Sequence, residues 1–178
     1  MPDQALMIET KDKIAKEEAR RRRALGKSVE LAVKARAKGS GWRVAQGVLF
    51  REYKDWFVSV QACVYQNERK TLIELHFKPM TLDPIFWEIA DVSSNVSKSL
   101  SFRFFGAWTC STPALFEHEL DEMGCNADAV ANQAITWANQ RLSDLSAWSI
   151  ERFLKTLQEH PRSQSYFAAL VRFRCVAP

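Results

Sequence analysis

The chain is poor in the residues that punctuate or staple a fold, with only 6 Gly, 6 Pro and 4 Cys among 178 residues. So little Gly and Pro excludes collagen-like and low-complexity architectures, and a 47% hydrophobic share excludes an intrinsically disordered chain. Nowhere do 18 apolar residues run together, so no membrane-spanning helix is expected. The opening Met-Pro-Asp-Gln-Ala-Leu-Met-Ile-Glu lacks a basic stretch leading into an apolar one, which predicts no secretory signal and a cytoplasmic location. Cys63, Cys110, Cys125 and Cys175 form neither a CxxC pair nor a metal knuckle, and all four read as reduced thiols.

Aromatic residues, by contrast, are plentiful: 6 Trp, 3 Tyr and 11 Phe. At this length a folded chain hides roughly 70% of the surface its unfolded form exposes, so these side chains fill a core without a cofactor or a staple. Charge is unevenly placed. Residues 1–40 hold 11 Lys and Arg against 6 Asp and Glu, and the rest of the chain is nearly balanced, so the net charge of +4 resides in the N-terminal stretch. Within 114–144 the acidic residues Glu117, Glu119, Asp121, Glu122, Asp128 and Asp144 face a single Arg141. A basic arm and an acidic flank predict charged partners.

Residues 4–37 read as a helix rich in Ala, Leu, Glu, Lys and Arg, kinked near Gly26 and stopped at Gly39-Ser40-Gly41. Its apolar stripe is narrow before Gly26 and better after it, so the second half is expected to dock and the first to project. From Trp42 the period changes to two. Residues 48–51, 56–65 and 71–78 are strand-like, with spacers that suit consecutive hairpins, and 100–105 reads as a fourth strand. Asp83-Pro84 reads as an Asp cap and a first-turn Pro opening a helix over 83–90. After Pro113 the pattern predicts helices over 114–123, 127–142, 145–159 and 164–174. The expected organisation is a basic helical arm at 1–40 and one α+β domain at 41–178, with its sheet in 42–110 and its helices in 114–175 packed on one face or end.

No catalytic signature emerges. Gly26-Lys27-Ser28 resembles the end of a phosphate loop, but Arg21 stands where the upstream Gly is required. His118-Glu119 begins like a helical zinc site, yet Glu122 replaces the second His. Asp55, Glu74 and Lys78 superficially resemble the carboxylates and lysine of a metal-dependent nuclease, but Asp55 lies in a turn and His76 occupies the family's Lys position. The alternation of Glu74, His76 and Lys78 reads more simply as the wet or lightly covered side of a strand. Arg20, Arg21, Arg22 and Arg23 with Lys27 are what phosphate neutralisation requires, although Glu17 and Glu18 pair with them at helical spacing. No catalytic residue, metal site or cofactor is expected.

Gly-Trp-Arg-Val-Ala-Gln-Gly-Val-Leu-Phe-Arg at 41–51 resembles the opening of a small uncharacterised bacterial domain family of unknown function. The similarity continues through Lys78-Pro79-Met80, Leu82-Asp83-Pro84-Ile85-Phe86-Trp87 and 102–108 with Gly106. It implies an α+β sheet with flanking helices and no established catalysis; proteins of similar build include immunity proteins that neutralise a toxin. The leading expectation is therefore a non-catalytic protein-binding domain of the immunity or antitoxin type. Its partner face would be a helix carrying Glu117, Glu119, Asp121 and Glu122, with Asp128, docking a basic toxin domain. The alternative is a nucleic-acid-binding accessory protein that uses Arg20 to Arg23 and Lys27. Oligomeric state does not follow from the sequence.

Overall fold

A computed structural model describes residues 3–66, 68–121 and 126–160, with the first helix represented by its backbone alone up to residue 10. Helix α1, Asp3–Arg36, runs unbroken through Gly26. The helix is not interrupted at Gly26, where strong helix formers flank the residue on both sides and an added Cβ would sit 3.8 Å from Val64 of the sheet. Four strands follow: β1 Arg43–Ala45, β2 Val48–Tyr53, β3 Trp56–Val64 and β4 Thr71–Pro79. They form an antiparallel meander, as the period-two runs and short spacers predict. The tight β1–β2 turn needs Gln46 and Gly47 at φ +50° and +77°, and a Cβ on Gly47 would come within 2.6 Å of Glu30 Cγ on α1.

Next come α2, Leu82–Ile89, a 3-10 turn at Ser93–Ser97, the short α3, Phe102–Phe105, and β5, Phe116–Leu120. Helix α4, Ala127–Asp144, and α5, Ile150–Glu159, complete the described chain, joined by a 3-10 turn at Leu145–Ala147. The expected helix over 164–174 lies outside the described residues.

Three expectations fail for physical reasons. Residues 100–105 are a helical turn and not a strand: Phe102 packs on Trp87 at 5.9 Å and Arg103 reaches Met80 O and Asp83, so the segment folds over α2 and adds nothing to the sheet. Residues 116–120 are a strand and not a helix, because Phe116, His118 and Leu120 alternate with Glu117 and Glu119 and pair with Leu75, Ile73 and Thr71 of β4. Asp83 is no helix cap: α2 is preceded by Thr81, and Asp83 points inward at 0% exposure.

The five strands are ordered β1-β2-β3-β4-β5, so β1 and β5 form the edges. One face is covered by helices. Val29, Val33 and Ala37 of α1, Val130, Ala131, Ala134 and Ala138 of α4, and Phe153 and Leu157 of α5 pack on Trp56, Val58, Val60, Ile73, Leu75 and Phe77. The second half of α1 is thereby docked, whereas none of residues 11–21 is buried and Ile14 is 62% exposed. Asn126 caps α4 by accepting from Ala129 N at 2.8 Å, and Ser149 caps α5 through Arg152 N at 3.1 Å. The α+β build, with an N-terminal helix, an antiparallel sheet and C-terminal helices on one face, is the one expected.

Candidate functional site

Strand alternation places Phe57, Ser59, Gln61 and Cys63 of β3, with Tyr65 just beyond it, beside Leu72, Glu74, His76 and Lys78 of β4 on the sheet face away from the long helices. Glu117 and Glu119 join them from β5, opposite Glu74 and Leu72. This face is more than lightly covered. The segment from α2 to Thr112 folds over part of it, leaving a cavity of about 200 Å³ lined by Ser59, Gln61, Glu74, His76, Phe104 and Thr112 among others.

Two polar networks anchor the cover. Lys78 Nζ donates to Asp83 Oδ1 at 2.7 Å and to the carbonyls of Arg103 and Cys110 at 2.8 and 2.6 Å, which uses all three ammonium protons. Asp83 Oδ1 also accepts from Cys110 N at 2.9 Å, and Asp83 Oδ2 from Arg103 Nη1 at 3.1 Å. Burial lowers the Lys78 pKa, and the Asp83 carboxylate works against that fall. Asp83 thus ties the cover to β4, and it was hidden in sequence because its partners lie 5, 20 and 27 residues away.

The second network surrounds Glu74. Its Oε1 accepts from Tyr65 Oη at 3.1 Å and its Oε2 from Cys63 Sγ at 3.4 Å, while His76 Nε2 stands 3.7 Å from Oε2. His76 Nδ1 donates to Thr112 O at 2.9 Å and so carries a proton. The His76 ring first, then Cys63 and Tyr65, hold the Glu74 carboxyl below its ordinary value against the opposing effect of burial. Burial first, then the Glu74 charge, pushes the Cys63 thiol up to about 12 and the Tyr65 phenol up to about 12. Burial likewise raises Cys110 to about 11, so Cys63 and Cys110 are both protonated at neutral pH. Both are free thiols, as expected; Cys125 and Cys175 lie outside the described residues.

The anticipated acidic face is divided. Glu117 and Glu119 are exposed on one side of β5, and Lys70 Nζ lies 3.8 Å from Glu119. Asp128 belongs to the helical layer, where it accepts from Arg36 Nη2 at 3.1 Å, so it shares no face with the β5 carboxylates. Asp121 follows β5 and is exposed; Glu122 lies outside the described residues. His118 turns the opposite way and stacks on Trp137 of α4 with ring centroids 5.8 Å apart.

The basic run is divided too. Arg20, Arg21, Arg23 and Lys27 are exposed, but Arg22 is only 7% exposed. Its guanidinium donates to Tyr65 O, to Lys70 O at 2.5 Å and to Thr71 Oγ1 at 3.4 Å, bracing the turn end of the β3–β4 hairpin. Arg21 pairs with Glu17 at 3.6 Å, as helical spacing predicts. Asp55 sits in the β2–β3 turn next to Trp56, which pairs with Pro79, so it stands well along the strands from Glu74 and forms no carboxylate pair with it. Among the described residues no three His, Cys, Asp or Glu are grouped to hold a metal ion, and no helix is long and apolar enough to cross a membrane. No protein-family model, curated protein or solved structure matches the chain.

Proposed function

We propose that the protein is a non-catalytic protein-binding domain of the immunity or antitoxin type, acting in the cytoplasm on a basic partner such as a toxin domain. The observation that carries the reading is the position of Glu117 and Glu119. Both are exposed on one side of an edge strand, and Glu117 has no ion-pair partner among the described residues. Carboxylates so placed steer a cationic surface toward the sheet edge, where main-chain pairing and charge matching act together. The state of the inner polar groups favours binding over catalysis: both described thiols are held protonated, and Lys78, Asp83 and Glu74 are engaged with other protein groups.

The test is association with a purified basic partner, followed by stopped flow at two salt concentrations. Glu117→Lys with Glu119→Lys is expected to lower the on-rate at least tenfold at low salt and to flatten its salt dependence. An unchanged on-rate removes β5 from the interface.

One observation favours a second reading, nucleic-acid binding. Arg20, Arg21, Arg23 and Lys27 are exposed on α1, within or just after the stretch 11–21, none of which is buried. It predicts an affinity that falls steeply with salt and is lost on replacing these four by Gln, with Arg22 left in place.

A further inference from the structure

We propose that the cavity between the sheet and its cover binds a small organic cation, an amine or guanidinium, whose charged group sits on Glu74 while Ser59 and Gln61 hold its polar body. The strongest sign is Ser59. It is 1% exposed and lines the cavity, and its hydroxyl has no hydrogen-bond partner among the described residues. A hydroxyl at the wall of such a cavity is satisfied by water or by a guest that enters it. The half-buried Gln61 amide lines the same space.

Charge selects the sign of the guest. Glu74 faces Glu117 directly across the β4–β5 pair; apart from the His76 ring 3.7 Å from Glu74, no basic side chain is ion-paired with either among the described residues. Like charges directly opposite on a sheet are unfavourable, so a cation between the strands and the cover is attracted there. At the other end the cationic groups are committed: Lys78 has spent its three donors, and Arg103 is held by Asp83 and Met80 O. An anionic guest therefore meets saturated cations at one end and, at the other, a carboxylate whose protein partners are the Tyr65 hydroxyl, the Cys63 thiol and the His76 ring. A metal ion is disfavoured by the lack of a third ligand, because no group of three His, Cys, Asp or Glu is present among the described residues. A protonated amine or guanidinium needs only hydrogen-bond acceptors, which Glu74, Ser59 and the Gln61 carbonyl supply.

Size and shape narrow the class. The cavity of about 200 Å³ is smaller than the roughly 300–1,000 Å³ of sites for drug-sized ligands. Phe57 and Phe104 give it aromatic walls, suited to the apolar body of such a cation or to a cation–π contact.

The experiment is a titration of the full chain with benzylamine and agmatine, followed by backbone amide NMR, with benzyl alcohol and benzoate as neutral and anionic controls. The expected result is saturable shifts at residues 59, 61, 74, 76 and 112 for the two cations, with the controls at least tenfold weaker. Glu74→Gln should weaken benzylamine at least tenfold. Ser59→Ala, which removes one buried hydroxyl and no ion pair, should weaken it several-fold with the spectrum otherwise intact. Equal response to benzyl alcohol or benzoate, affinity unchanged by Ser59→Ala, or no saturable shift with either cation would overturn the proposal and leave the cavity to water. None of these outcomes bears on whether β5 docks a protein, which is read from a partner's on-rate.

Discussion

Asp83 joins β4, α2 and the cover through one buried carboxylate. Fully buried, it compensates Lys78 and Arg103 and accepts from Cys110 N, so the cover from α2 to Cys110 closes on the sheet through one carboxylate. Replacing it by Asn leaves a buried ammonium without its counter-charge, and Asp83→Asn should cost about 3–5 kcal/mol in urea denaturation. A loss below about 1 kcal/mol would show that the network does not hold the cover. At Glu74 the folded-state pKa is depressed, so its contribution is present above the ordinary carboxyl range and is lost as pH falls through the folded value. Glu74→Gln should accordingly flatten the acid limb of the stability–pH profile and leave its slope above pH about 6 unchanged. Sequence pattern showed that Glu74, His76 and Lys78 share a face. It could not show that the face is covered, because burial of a charge depends on a partner that local spacing does not reveal.

Among the elements, those set by a long period were legible and the short ones were not. The meander of β2, β3 and β4 and the α4 helix follow from alternation, hairpin-length spacers and an apolar stripe. Residues 100–105 alternate as a strand would, yet the Arg103 contacts to Met80 and Asp83 fold them over α2. Residues 116–120 alternate just as well, and β4 had an open edge for them to pair with. Nothing local separates the two segments; the difference is which one reaches the sheet. Arg22 was equally concealed, since one buried arginine in a run of four resembles its neighbours. Arg22→Ala should cost about 2–3 kcal/mol and loosen the end of the β3–β4 hairpin, seen as faster amide exchange at Tyr65 and Lys70. Arg21→Ala, whose side chain is exposed beside Glu17, should cost less than about 0.5 kcal/mol by the same denaturation.

Over the whole molecule, two charged stretches remain outside the packed layers. The helical layer buries one sheet face, the α2–Thr112 segment covers part of the other, and the charged residues left outside include the carboxylates of β5 and the cations of the first half of α1. Composition had located both charges along the chain, but it merged Asp128 with the β5 group and Arg22 with its exposed neighbours, because a count of charges carries no direction. The most direct measurement is native mass spectrometry of tagged protein from its native cells, with and without nuclease treatment, comparing wild type with the Glu117→Lys/Glu119→Lys double variant. The binding-domain account predicts a stoichiometric protein partner that survives nuclease and is lost from the double variant. A partner retained by that variant, or nucleic acid alone that disappears on nuclease treatment, would contradict it.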